Sequence, residues 1–392
     1  MSLGAQKCYT EFMFNLDDPS IYRDGDVVKV LESTNKFSDQ CIQALSETQK
    51  LDILVPESVK NVVICGMGGS GFSADIIKTC FSDQLRLPVE IVNDYFLPGY
   101  VSKDTLLIAS SYSGNTEETI EAVTKAMEKQ ATVLALTSGG KLKDLVMNKQ
   151  INGYIFDPVN NPAGQPRMAT GYMLCGLYGL MVKAKILVDE VEIFLVKARE
   201  LSKNHQFNYN IDLTNNPAKK LAEDLYGKFV ILITSGFLQG AIHGFANSLN
   251  ETAKTNSSFH FIPELDHHRL EGLQYPAEFK KLGAVVFYQS GLFDEKIKLR
   301  FKLTEDVVSQ NSFKTIMIDI PQKDKFSSLL YTISLNQFAA FYLSRLYQVN
   351  PIKIPWVDYF KDKLANVSLR GAEGDVAISD GIASPDVTSG SQ

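Results

Sequence analysis

The sequence predicts an α/β protein of two domains, each a mainly parallel sheet with helices on both faces, a three-layer sandwich. Three observations carry this reading. Short apolar runs alternate with helical stretches from about residue 58 to 190, and buried strands alternating with helices indicate a parallel sheet covered on both sides. The same alternation restarts after a polar bridge, LSKNHQFNYNIDLTNNPAKK. The chain has 392 residues, 45% of them apolar and 21% charged, enough for two or three domains with sizeable cores.

Taken in order, residues 1–55 read as an N-terminal helical segment, with DVVKVLESTNKFSDQCIQALSE at helical period. The first domain, 56–195, contains the strands NVVICG, PVEIVND, DTLLIASS, ATVLALTS and INGYIFDP, with helices such as EETIEAVTKAMEKQ between them. The longest apolar stretch, Gly171 to Leu187, is broken by lysines and too short for a membrane span. It reads as a buried helix and offers candidate interface surface. The second domain, 205–365, has strands GKFVILITSG, SSFHFIPEL, KLGAVVFYQS and KTIMIDIP, then the long helix SSLLYTISLNQFAAFYLSRLYQ. Residues 366–392 are rich in Gly, Ser and Asp and carry no aromatic residue, the composition of a disordered tail.

Composition excludes several classes. The net charge is −6 and no basic block occurs, so nucleic acid is not an expected partner, nor is a membrane. The N-terminus MSLGAQKCYTEF has no basic-then-apolar signal pattern, which makes a cytoplasmic protein the expectation. Five cysteines lie scattered without C-x-x-C spacing, against a zinc site or a disulfide framework.

Two loops carry the chemistry. Gly66, Gly68 and Gly71 spell G-x-G-x-x-G between a strand and a helix, and Asp94 follows the next strand, as a dinucleotide site would require. The motif alone is a weak signal, and the loop lacks the Lys of a P-loop. The third strand runs into SSYSGNTEET, where Ser111, Ser113 and Thr116 crowd a glycine turn at a helix N-terminus. Free N–H groups and the helix dipole favour an anion there, and hydroxyls add donors. Helix capping alone also explains such a cluster. Two such turns at neighbouring strand ends point to a phosphorylated small molecule.

GMGGSG together with SYSGNTEET resembles the sugar isomerase (SIS) domain. The further motifs resemble the bifunctional phosphoglucose/phosphomannose isomerase family, built from two SIS domains, over roughly Glu57 to Leu364. The resemblance implies a flavodoxin-like sandwich in each domain, a phosphosugar substrate held by Gly69, Ser70, Ser111, Ser113 and Thr116, and no metal or organic cofactor. It also gives roles to residues whose own context is bland. Arg167 in NPAGQPRMATGY reads from spacing as a surface residue; the resemblance makes it the group that steadies an enediolate. Glu251 in ANSLNETAK reads as a solvated helical side chain; the resemblance makes it the base. His267 and His268 in PELDHHRLEG read as a polar loop or, with Asp266 and Glu271, as a metal site of no familiar spacing. The resemblance assigns ring opening to His267, with His268 standing where the family has asparagine. Lys361 in NPIKIPWVDYFKDKL reads as a surface lysine; the resemblance lets it, too, open the ring, and leaves open which of the two does so. Asn350 stands where the family has Asp. A homodimer in which the partner donates His267 is also implied. The catalytic set is thus Glu251, His267, Arg167 and Lys361. Another SIS enzyme, a non-catalytic phosphosugar regulator and a nicotinamide enzyme are the competing readings.

Overall fold

The central strands form where apolar, largely β-branched residues run between glycine- or serine-rich turns, and among residues 14–372, which this computed structural model describes, every strand pairs in parallel. Helices α1 (Gly25–Asn35) and α2 (Phe37–Thr48) precede β1 (Asn61–Cys65). There follow α3 (Gly68–Cys80), β2 (Val89–Val92), β3 (Thr105–Ser110), α4 (Glu117–Glu128), β4 (Thr132–Thr137), α5 (Gly140–Met147) and β5 (Asn152–Ile155). Helices α6 (Thr170–Lys183), α7 (Val191–Ser202) and α8 (Pro217–Leu225) lead into β6 (Phe229–Thr234). The chain continues through α9 (Gln239–Glu251), β7 (Ser257–Phe261), α10 (Phe279–Leu282), β8 (Gly283–Ser290), α11 (Glu295–Gln310), β9 (Lys314–Ile320), α12 (Lys325–Leu346) and α13 (Pro355–Ala372).

The first sheet has the order β2-β1-β3-β4-β5, with Val63 opposite Glu90 on one side and Leu107 on the other. The second has the order β7-β6-β8-β9. In both, the order reverses beside the first strand, and at such a point a crevice opens at the carboxyl ends of the strands. Strand β3 is buried at every residue, as a central strand covered on both faces must be.

Two helices are apolar all round and therefore buried all round. In α12 every residue but Lys325 and Ser327 is buried. In α6 Thr170 through Val182 are buried against α2 and α3 of the same chain. The expectation that this stretch offers interface surface is thus corrected: its apolar faces are already covered within the chain.

The N-terminal helices are part of the core. Val30, Cys41, Ala44 and Leu45 are fully buried. The polar segment between the domains hides a second unforeseen feature, Lys219, whose side chain is fully buried. A buried ammonium needs partners, and Lys219 donates to Asp17 Oδ1 and the Tyr209 carbonyl, each at 2.8 Å. This pairing ties residue 17 to the second domain. No helix among the described residues is long and apolar enough to cross a membrane.

The domains meet where α3 packs on α9. A Cβ on Gly240 would lie 2.3 Å from the backbone N of Ile76, so only glycine permits this approach. From Lys353 to residue 372 the chain belongs to a second compact unit. It contains α13, on which Trp356, Tyr359 and Phe360 are exposed. The helix runs to Ala372, past the Asn366 where composition placed the start of a disordered tail. Neither Pro nor Gly occurs in Trp356–Arg370 to stop it. The rest of the expected tail, 373–392, lies outside the described residues.

Because α3 carries the first glycine loop and α9 ends at Glu251, Gly240→Ala should disturb both. The expected loss is about 1–3 kcal/mol of unfolding free energy, the usual cost of overpacking, read as a lower urea midpoint at unchanged m-value.

Candidate active site

The loop after β1 opens α3 with Gly68 in the left-handed region, φ +51°. Ser70 follows, buried, and its hydroxyl accepts from the Tyr112 N–H at 3.0 Å, while the Ser110 hydroxyl donates to the Ser70 carbonyl at 3.1 Å. These bonds stitch the first glycine loop to the loop after β3. In that second loop Ser111 and Thr116 hydroxyls lie 2.8 Å apart, and the Gly114 N–H reaches Ser111 Oγ at 3.1 Å. Ser113 stays exposed on the rim, its hydroxyl accepting from the Asn115 N–H at 3.3 Å. Gly114 has φ +69°, and a Cβ there would come within 1.8 Å of the Gly139 carbonyl. The structure thus unites Ser70, Ser111 and Thr116 at the carboxyl ends of β1 and β3, the place where an open parallel sheet binds ligands. The dinucleotide reading gains nothing: the exposed Asp94 accepts from the Tyr95 N–H beside it, and Asn93 donates to the Gly66 carbonyl.

Arg167 arrives on a 3-10 turn, Pro166–Met168, just before α6. Gly69 lets this turn approach the first glycine loop, since a Cβ on Gly69 would sit 3.2 Å from Arg167 N. The spacing-based reading of Arg167 as a surface residue is overturned: its side chain is 3% exposed. One guanidinium nitrogen donates to Gln165 Oε1 at 3.1 Å and to Glu251 Oε2 at 3.3 Å. The other donates to the carbonyls of Pro351 and Ile352 at 2.8 and 2.6 Å. Glu251, last residue of α9, is 30% exposed on its side chain, so its carboxylate faces both the arginine and solvent. A residue of each domain therefore contributes to one ion pair.

Sequence reasoning missed the supports of this pair. Gln40 of α2 is fully buried; its amide donates to the carbonyls of Asn160 and Met168 at 3.0 and 2.8 Å and accepts from the Gly171 N–H at 3.1 Å. It thus brackets the loop that delivers Arg167. The Ser33 hydroxyl accepts from the Ala163 N–H at 2.9 Å. Asn350 donates its amide to Asp26 Oδ2 at 2.8 Å, a bond an ionised carboxylate could not make. No sequence signal distinguishes these from ordinary helical and loop polar residues.

His267 ends a short 3-10 turn, Glu264–His267, with an exposed side chain and, among the described residues, no hydrogen bond. His268 is engaged by Glu264 at 3.0 Å. Asp266 is occupied by Arg300 at 3.0 Å and Thr304 at 2.8 Å, which draws it out of the metal set considered from spacing. Among the described residues no three His, Cys, Asp or Glu side chains are grouped to hold a metal. His260 is kept down at about 4, first by burial and then by Arg269, so it is neutral at physiological pH. Lys361 lies exposed on α13 in the second unit, where Lys363 instead sits over the Tyr359 ring at 5.5 Å.

With this geometry in view, the relatives are informative. Residues 57–154 match the SIS domain, and residues 214–364 match the bacterial phospho-glucose isomerase C-terminal SIS domain. A bifunctional phosphoglucose/phosphomannose isomerase of Caldicellulosiruptor bescii is 29% identical over 86% of this chain and 99% of its own. One of Thermoplasma volcanium is 30% identical over 78% of this chain and 91% of its own. In fold, a hypothetical protein from Thermus thermophilus matches with TM-score 0.65 at 14% identity, covering 90% of this chain and 91% of that one.

Gly114→Ala is the sharpest test of the second loop. Left-handed strain and the clash with Gly139 should together remove about 1–3 kcal/mol of stability, seen in urea unfolding; inorganic phosphate is expected to raise the thermal midpoint of wild type and to raise that of Gly114→Ala less.

Proposed function

This chain belongs to the bifunctional phosphoglucose/phosphomannose isomerase family, and on that premise we infer that it interconverts glucose 6-phosphate and mannose 6-phosphate with fructose 6-phosphate. The observation that carries the reading is the Arg167–Glu251 pair, a carboxylate and a guanidinium 3.3 Å apart, with the arginine turn packed on a hydroxyl-lined anion loop.

Aldose–ketose isomerisation needs a base beside C1 and C2 of the open sugar and positive charge near the developing enediolate. Glu251 takes the proton from C2 and returns it at C1. Arg167 stabilises the enediolate oxygen and holds Glu251 in register. The phosphate is cradled by the Ser70, Ser111, Ser113 and Thr116 hydroxyls and by backbone at Gly69, where the start of α3 offers N–H groups to an anion. Glucose and mannose phosphates differ at C2 alone and give the same cis-enediol, so one base serves both if the sugar presents either C2 proton.

Ring opening falls to His267 or Lys361. The proposal that His267 comes from the partner of a homodimer is supported by its exposure and its lack of a bond among the described residues, while neighbouring His268 is tied to Glu264.

A coupled assay without added metal tests the function. Wild type should turn over both aldose phosphates, and Glu251→Gln should lose about 10²–10⁴-fold in kcat, the range for a general base. If neither sugar reacts while phosphosugar still binds, the isomerase reading fails. Mixing separately inactive Glu251→Gln and His267→Ala chains tests the shared site. Random reassortment should restore about a quarter of wild-type activity, since half the dimers then carry one intact site; no recovery would place His267 in its own chain's site or outside it.

A further inference from the structure

Lys254 follows Glu251 by three residues, and the function above leaves it without a role. Its backbone is left-handed, φ +56°, which is uncommon for a residue with a side chain. This conformation folds the side chain back along the end of α9, where its ammonium donates to the Glu251 carbonyl at 2.6 Å. The charged groups that act on it are Arg167 from the turn before α6, Glu251 from α9 and Arg345 from the end of α12.

We propose that Lys254 is a positioning residue for the isomerase base: its ammonium fixes the last turn of α9 at Glu251 and, with Arg167, sets two positive charges around one carboxylate. The inference rests on the isomerase reading and adds to it a specific dependence on pH. Partial burial of the ammonium, and secondly the Arg167 guanidinium, bring Lys254 down to about 8 from the ordinary lysine value. As pH rises through that value the ammonium becomes neutral. Its charge near Glu251 is lost and the bond to the carbonyl weakens, so activity falls on the alkaline side. Arginine at this position stays charged throughout.

The plainer role is that of a helix C-cap, in which a cation merely satisfies the last carbonyls. That role predicts a change in stability and no change in the pH profile. The experiment is therefore kcat and KM for fructose 6-phosphate between about pH 6 and pH 10, on wild type, Lys254→Gln and Lys254→Arg, beside their thermal midpoints. Lys254→Gln should lose about tenfold in kcat with KM changed less than about twofold, the split expected of an interaction felt in the transition state, and should lack the alkaline limb. Lys254→Arg should recover most of kcat and carry the limb to higher pH. The proposal is overturned if Lys254→Gln melts lower but keeps the wild-type kcat and limb, or if Lys254→Arg is as impaired as Lys254→Gln. Inactivity of wild type on both aldose phosphates would be a different failure, that of the isomerase reading itself.

Discussion

A guanidinium removed from water must find acceptors for its donors, and Arg167 finds them in Gln165, Glu251 and the carbonyls of Pro351 and Ile352. These come from its own loop, from α9 of the second domain and from the segment after α12. Burying such a charge is costly unless it is paired and hydrogen-bonded. The need to satisfy one side chain therefore fixes the relative positions of three distant parts of the chain. Arginine suits this place because its planar fork carries five N–H donors, against the three of a lysine ammonium.

The other devices at the site follow from that constraint. Gln40 and Ser33 reach across from the N-terminal helices to hold the loop that presents the arginine. Asn350 grips Asp26, which steadies the carbonyls on which the guanidinium rests. The N-terminal helical segment thus positions the site as well as covering the core. Gly240 and Gly69 serve the same end by omission, allowing α9 onto α3 and the arginine turn onto the glycine loop. Each is a small local choice whose consequence is a carboxylate and a guanidinium at one strand-end crevice.

How much of this was legible can be seen residue by residue. The central strands β1, β3, β4, β6 and β8 were visible as apolar runs, because a strand covered on both faces has little room for polar side chains. The two glycine- and hydroxyl-rich loops were visible because turns at strand ends need glycine and small hydroxyl residues. Arg167 and Glu251, read by spacing alone, looked like surface groups; the resemblance to a family gave them expected roles, and the structure shows that Arg167 is buried against a partly exposed Glu251. Lys219 and Gln40 gave no signal, since a lysine or glutamine in a helix is ordinarily solvated. The apolar helix α6 was recognised as buried, but what buries it could not be read from its own residues.

The sequence by itself determined the α/β class, the run of strands and the hydroxyl-rich loops at their ends, because these depend on periodicity and turn chemistry within a few residues. Only the tertiary structure decided that Arg167 meets Glu251, that α6 is covered from within the chain, and that the N-terminal helices hold the loop that presents Arg167. The bonds of Arg167 to Glu251, Pro351 and Ile352 join residues 84 to 185 positions apart. A local pattern carries no record of such contacts; they exist only once packing has brought the two domains together.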